Sequence, residues 1–174
     1  FIIPKNTIKV PDSITESYKE ISNALLIAFG KIGIKVELKK QPERLSTPIC
    51  FSSCNWYEIT VRAKKICGSA QKRIDGRLLQ HGSLLIDFDY EKNVMLFKTS
   101  HSDALESLKK RITSIRGELN RNISRSRLAN AIKSGFEENF NADFSEGSLT
   151  KKEAELAESL KNEKYSKDEW NYRL

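Results

Sequence analysis

The chain holds 174 residues, 30% of them charged and 39% hydrophobic, and its 30 Lys and Arg outnumber 23 Asp and Glu to give a formal charge of +7. That length suits one domain, or a domain with a small appendage, and no apolar run approaches the ~20 residues of a membrane span. Three cysteines, an odd number in a Lys- and Glu-rich chain, point to reduced thiols and a cytoplasmic setting, and the expectation is a protein without a signal peptide.

The sequence opens on FIIPKNTIKV, without methionine and extended in character, so the expectation is a chain that enters mid-strand as the second part of a longer polypeptide. Asp12 or Ser13 then caps a helix, with Glu16 at capping-box distance from Ser13. Tyr18, Ile21, Leu25, Phe29 and Ile32 recur at helical spacing until Gly33. Ile34, Val36 and Leu38 alternate with charged residues as in a half-buried strand, and 41–48 reads as a loop. Tyr57, Ile59 and Val61 alternate with Glu58, Thr60 and Arg62 in a second strand. The spacing predicts a turn at Ala63-Lys64, a return strand over 65–71, a polar turn over 72–77 containing Asp75-Gly76, and an apolar strand over 83–88.

From about Ser102 the period turns helical. One helix is predicted over 103–115 and another over 124–140, with Leu128, Ile132 and Phe136 on one face. Thr150 and Glu153 form a second capping-box spacing, ahead of Leu156, Ala157 and Leu160. The fold class is therefore α/β (α+β): a partial mixed or antiparallel sheet flanked by helices over residues 1–98, then a helical subdomain over 99–174. Basic residues crowd 109–127, which reads either as a solvated helix and loop or as a phosphate-binding stripe. No zinc-finger, RNP or KH signature accompanies them, so the charge suits an acidic protein partner better than nucleic acid or membrane.

The span from Cys50 to Leu85 carries the chemistry. Cys50 and Lys65 lie fifteen positions apart, followed by Gly68-Ser69-Ala70-Gln71 and Gln80-His81-Gly82-Ser83. A thiolate is the best covalent carrier among side chains near neutral pH. The plain alternative for any one of Cys50, Cys54 and Cys67 is a small buried hydrophobe. Lys65 opens a strand, where its ammonium can meet a developing negative charge or simply face solvent. The small residues of the two later motifs let a ligand lie close to the backbone. Cys50, Cys54, Cys67 and His81 could on paper hold zinc, but only Cys50 and Cys54 form a short-spaced pair. With His81 and His101 the only histidines, a histidine-rich metal centre is excluded.

WYEITVRAKKICGSAQKRIDGRLLQHGSLL resembles the central motif of the biotin/lipoate protein ligase superfamily, and within it the octanoyltransferase branch of the LipM type. Cys-Phe, Trp-Tyr-Glu, Lys-Lys, Gly-Ser-Ala-Gln and Leu-Gln-His-Gly-Ser follow in the family's order. Thr113-Ser114, Gly135-Phe136-Glu137 and Glu163-Lys164-Tyr165 with Asp168-Glu169-Trp170-Asn171 extend the likeness through nearly the whole chain. The resemblance implies a biotin/lipoate ligase-like catalytic domain in which Cys50 accepts the acyl group and Lys65 contacts the substrate. Gly68, Ser69, Ala70, Gln71, His81, Gly82 and Ser83 would bind it. It implies acyl carrier protein as octanoyl donor, an acidic lipoyl-accepting protein such as glycine-cleavage H protein or a lipoyl domain as acceptor, and no cofactor. The amine's proton would go to His81 or to solvent. The alternative within the superfamily is a lipoate–protein ligase using ATP and Mg²⁺, with Lys65 on the adenylate phosphate.

Two features depart from the family. Its Arg-Arg…Gly-Gly-Gly…His segment is missing, and no Gly-Gly occurs in the sequence. Ala63 also replaces a turn glycine. The expectation is that the missing N-terminal half lies on a preceding segment or a companion chain, and that the 174 residues alone are inactive and poorly folded.

Overall fold

The structure, a computed structural model, describes residues 1–4, 10–43, 50–97 and 100–173, with the backbone alone at Cys50 and His101. Contacts gather Phe1–Asp143 into one compact unit and Phe144–Leu174 into another.

The first unit is built on a five-stranded sheet: β1 (Ile2–Ile3), β2 (Glu37–Leu38), β3 (Ile59–Val61), β4 (Lys64–Ile74) and β5 (Arg77–Leu84). Their order is β1-β5-β4-β3-β2, and each neighbouring pair is antiparallel. Helix α1 (Ile14–Lys31) starts where Ser13 accepts the Glu16 N–H. It ends in a Schellman arrangement: Gly33 adopts φ 90°, its N–H reaches the Gly30 carbonyl, and the Ile34 N–H reaches that of Phe29.

The hairpins run differently from the spacing-based expectation. β4 continues through Lys72 and Arg73 to Ile74, and β5 begins at Arg77, so the turn is only Asp75-Gly76. Both turn residues have positive φ (51° and 75°), the geometry that matches the twist of a two-residue hairpin. The outer part of this hairpin is solvated, which is why its polar composition read as a loop. The apolar run after Leu84 leaves the sheet, and the Leu85 and Ile86 carbonyls accept the N–H groups of Ile115 and Arg116 instead. The β3–β4 turn falls one residue early, at Arg62-Ala63, again with positive φ (46° and 65°). Tyr57 stands outside β3 at φ 58°, and the expected 34–38 strand pairs only at Glu37–Leu38.

The segment expected as one helix over 103–115 is broken. After α2 (Tyr90–Val94), which the spacing did not suggest, α3 (His101–Arg111) stops at Ile112. Ile112 is extended and forms a parallel bridge with Lys65, and Ser114 then caps α4 (Ile115–Leu119). α5 (Arg125–Phe140) begins at its Ser124 cap and ends at Asn141 with φ 47°. In the second unit, α6 (Lys151–Leu160) opens on the Thr150–Glu153 capping box and runs into a π-helical turn over Lys161–Tyr165, followed by α7 (Asp168–Asn171). None of the residues of α6 is buried, Leu156 and Leu160 included.

The main core joins α1, α5 and the sheet through Ile21, Leu25, Phe29, Ile59, Ile66, Leu128 and Phe136. A second cluster gathers Val94, Ala104, Leu108 and Ile112. α1 and α5 approach closely at Gly135, where an added Cβ would run into the Ala24 carbonyl oxygen and lie 2.9 Å from Ala28 N. Backbone atoms cannot yield as a flexible side chain can. Gly135→Ala should therefore cost about 1–3 kcal/mol, read as a lower urea midpoint. Ala63→Gly should act oppositely. A left-handed L-residue costs roughly 1–2 kcal/mol and glycine's extra entropy returns part of that, so a net gain of about 0.5–1 kcal/mol is expected in the same measurement.

Candidate active-site cleft

The β4–β5 register sets the two small-residue motifs directly opposite each other. Gly68 pairs with Ser83, Ser69 with Gly82, Ala70 with His81 and Gln71 with Gln80. Side chains alternate across a strand, so Cys67, Ser69, Gln71, Gln80, Gly82 and Leu84 share one sheet face, while Gly68, Ala70, His81 and Ser83 share the other. Each face borders a hollow. A cleft of about 420 Å³ is lined by Lys65, Gly68, Ser69, Ala70, His81, Gly82 and Ser83 together with Phe51, Ser53, Asn55 and Glu58. A second pocket of about 300 Å³, walled by Ile21, Leu25, Leu84, Ile132 and Phe136 among others, shares Ser69, His81 and Gly82 with it. The sheet is thin here by necessity: a Cβ on Gly82 would sit 2.7 Å from the Gly68 carbonyl oxygen and 2.8 Å from Ser69 Oγ.

Lys65 is buried rather than exposed on its strand, at 5% relative exposure. Its Nζ donates to Glu58 Oε2 and to the Ser53 carbonyl, both at 2.8 Å, and stands 4.7 Å from the centre of the Phe51 ring. Two of the ammonium's three N–H groups are thus engaged among the described residues. The main chain is held as well, because the Thr113 N–H donates to the Lys65 carbonyl at 2.9 Å. Thr113 Oγ1 in turn donates to Glu118 at 2.6 Å, and Glu118 pairs with Arg62 in the β3–β4 turn.

Glu58 and Thr60, placed by alternation on a polar strand face, are both buried, as are Ile59 and Val61. The positive φ of Tyr57 turns the chain just before Glu58, and the carboxylate also accepts the Asn55 N–H at 2.8 Å. Phe51, Ser53, Asn55 and Glu58 are cleft residues that spacing arguments did not single out. The family motif carried Phe51 in its Cys-Phe pair and Glu58 in its Trp-Tyr-Glu run, while Ser53 and Asn55 had no signal there. Gln71 does not line the cleft: it receives the Ser17 hydroxyl at 3.0 Å and donates to Gln80 at 2.8 Å. Gln80 Nε2 is buried without a partner among the described residues. The side chains of Cys50 and His101 lie outside the described residues.

Cys54 and Cys67 are free, buried thiols. Burial raises both: Cys54 lies above the ordinary thiol range, and Cys67 is pushed up to about 11. Burial likewise pushes the Tyr18 phenol up to about 12, and its hydroxyl donates to the Ser69 carbonyl at 3.4 Å. These thiols are poor nucleophiles near neutral pH. Among the described residues no three His, Cys, Asp or Glu side chains converge as a metal site would require, and no helix is long and apolar enough to cross a membrane. The raised groups set an alkaline limit on stability. The folded state keeps the Cys67 and Tyr18 protons at a pH where the unfolded chain has lost them, so unfolding free energy falls as pH rises from about 9 to 12. Cys67→Ala and Tyr18→Phe should each flatten that decline in urea titrations across this range; an unchanged slope in both would contradict the assignment.

Residues 1–137 match the family model of the lipoyl protein ligase A/B catalytic domain. The chain is 34% identical to octanoyltransferase LipM of Brevibacillus brevis, over 99% of this chain and 67% of that protein. It is 38% identical to LipM of Clostridioides difficile, over 98% and 65%. For LipM of Bacillus subtilis the identity is 31%, over 99% and 66%. It thus spans about two thirds of the length of these relatives. A crystal structure of lipoate-protein ligase A bound with ATP superposes with a TM-score of 0.74 at 24% identity, covering 98% of this chain and 62% of the other. A bi-partite lipoate protein ligase of Thermoplasma acidophilum, described with its E2 lipoyl domain, gives 0.72 at 23%, covering 94% and 60%. Fold, paired motifs and sequence identity converge, and the chain belongs to the lipoyl protein ligase A/B catalytic domain family.

Proposed function

We propose that this chain carries the acyl-transfer core of an octanoyltransferase of protein lipoylation, working in the cytoplasm. The observation that carries the reading is Lys65: a buried ammonium, fixed by two hydrogen bonds, at the wall of a cleft built from the two paired small-residue motifs. Its third N–H is suited to a carbonyl oxygen that becomes negative during reaction. Its surroundings are pre-arranged, so little reorganisation accompanies the chemistry.

In the first half-reaction the Cys50 thiolate attacks the thioester carbonyl of octanoyl-acyl carrier protein. The carrier's C–S bond breaks, its thiol leaves, and an S-octanoyl enzyme remains. In the second, the ε-amine of a lysine on the acceptor, glycine-cleavage H protein or a lipoyl domain, attacks that carbonyl. The Cys50 C–S bond breaks, an amide forms, and the amine's proton passes to His81 at the cleft or to solvent. Exchange of one thioester for another is nearly isoenergetic and thioester to amide runs downhill, so no nucleotide is needed. The apolar pocket beyond Ser69 and Gly82 suits the acyl chain, and the +7 charge suits acidic protein substrates through steering. The curated relatives named octanoyltransferase support the same reaction class.

Mass analysis of the protein after incubation with octanoyl-acyl carrier protein tests this directly. The expected result is one octanoyl adduct on the Cys50 peptide, absent from Cys50→Ala, with no pyrophosphate released from ATP and lipoate. Lys65→Met should lower acyl transfer by about 10²–10³, the typical cost of a lost oxyanion donor. Pyrophosphate release without an adduct would instead assign the ATP-dependent ligase reaction.

A further inference from the structure

The acyl-transfer scheme uses Lys65 but leaves unexplained the group that grips it. Glu58 is an ionised-type side chain with only 4% exposure, and its Oε2 both meets Lys65 Nζ and accepts the Asn55 N–H, each at 2.8 Å. Two hydrogen bonds therefore fix the carboxylate, and the carboxylate fixes the ammonium. Other ionisable groups around the lysine are of a different kind. Cys54 and Cys67 are thiols that burial keeps protonated, and the Tyr18 phenol is kept so by the same cause. His81 stands at the cleft wall. Lys39 and Glu43 pair with each other near the Cys54 bridge. Among the described residues, Glu58 is thus the carboxylate in direct contact with Lys65.

That contact matters because of what a lysine beside a thioester can do. Amine plus thioester gives amide, irreversibly on the time scale of turnover, and this is the reaction intended for the acceptor protein. An unprotonated Lys65 would compete for it. Its Nζ lone pair would attack the thioester carbon, the C–S bond would break with loss of the thiolate, and one of the nitrogen's two protons would pass to solvent while the other stays on the amide. The product, an octanoyl amide on Lys65, is a dead enzyme. A protonated amine has no lone pair to attack with, but a buried ammonium without a counter-ion tends to shed its proton.

We propose that Glu58 is a positioning residue that protects Lys65 from acylation: by holding its side chain as a hydrogen-bonded ammonium, it lets the lysine bind the acyl carbonyl without becoming the acyl acceptor. The inference rests on the acyl-transfer reading of the cleft, and its test separates the two.

The test uses Cys50→Ala and Cys50→Ala/Glu58→Gln proteins, treated with octanoyl-N-acetylcysteamine from pH 7 to 10 and analysed by peptide mapping, with the adjacent, more exposed Lys64 as internal reference. In the parent background Lys65 should stay unmodified while Lys64 is acylated. With Glu58→Gln the Lys65-to-Lys64 labelling ratio should rise at least tenfold, and Glu58→Asp, which keeps the charge, should restore most of the protection. In the Cys50-containing protein, Glu58→Gln should lose activity over successive turnovers as octanoyl-Lys65 accumulates, a progressive loss that simple destabilisation would not produce. Equal Lys65 labelling in the parent and Glu58→Gln proteins, both folded by circular dichroism, would overturn the proposal. So would ready acylation of Lys65 in the parent, a measurement that needs no Glu58 variant. Altered Lys65 labelling together with no adduct on Cys50 in the intact protein would instead leave Glu58's role standing and remove the transferase assignment.

Discussion

The antiparallel pairing of β4 with β5 across the Asp75-Gly76 turn is the constraint on which the cleft rests. A two-residue turn with both φ values positive fixes which residue faces which. Because side chains alternate, slippage by one residue would carry Ser69, Gln71 and Gln80 to the opposite face and bring Gly68 and His81 toward α1. The close packing of Gly82 on the Gly68–Ser69 backbone leaves no room for such a shift. Turn chemistry at one end of the hairpin and a glycine contact at the other thus agree on a single alignment, and that alignment creates two hollows that meet at Ser69, His81 and Gly82.

The Lys65–Glu58 pair follows a different logic from the apolar core around it. Burying two charges is expensive, and well-packed hydrophobic residues in place of such a pair are often no less stable, whereas deleting one partner typically costs about 3–5 kcal/mol. Stability alone is therefore a weak reason for the pair. Geometry is a better one: with Ser53 and Glu58 each taking an N–H, the ammonium cannot swing as a surface lysine would. In the proposed reaction that stillness places the charge where the carbonyl oxygen gains electron density, and the same carboxylate governs what else the nitrogen can do.

Much of this was legible in the sequence where the signals were local. Ser13 and Thr150 announced their helices through cap chemistry, Gly33 marked the end of the first, and Asp75-Gly76 declared a turn. Cys67 and Lys65 were placed on the right strand. What failed were elements decided by distant partners. Nothing near Ile112 forbids helix, yet the residue is extended because it pairs with Lys65, forty-seven positions earlier. Lys72 and Arg73 look like loop residues, yet they are carried as strand by Leu79 and Leu78 opposite. Glu58 was read as one polar member of an alternating strand, yet it lies just ahead of β3 and is buried against Lys65. The lining motifs stood out as small-residue runs and again through family likeness, whereas Glu58, though inside the Trp-Tyr-Glu motif, has a role that depends on a contact neither period nor composition encodes.

The short extended joint between α3 and α4 has a consequence for anyone recombining members of this family. Ile112 and Thr113 hold the Lys65 backbone, Ser114 starts the next helix, and Glu118 reaches back to Arg62. Lys65 is therefore moored from a stretch about fifty residues downstream. A chimera with its crossover between positions 66 and 112 would inherit the lysine from one parent and its mooring from the other, so crossover points are better chosen outside that interval.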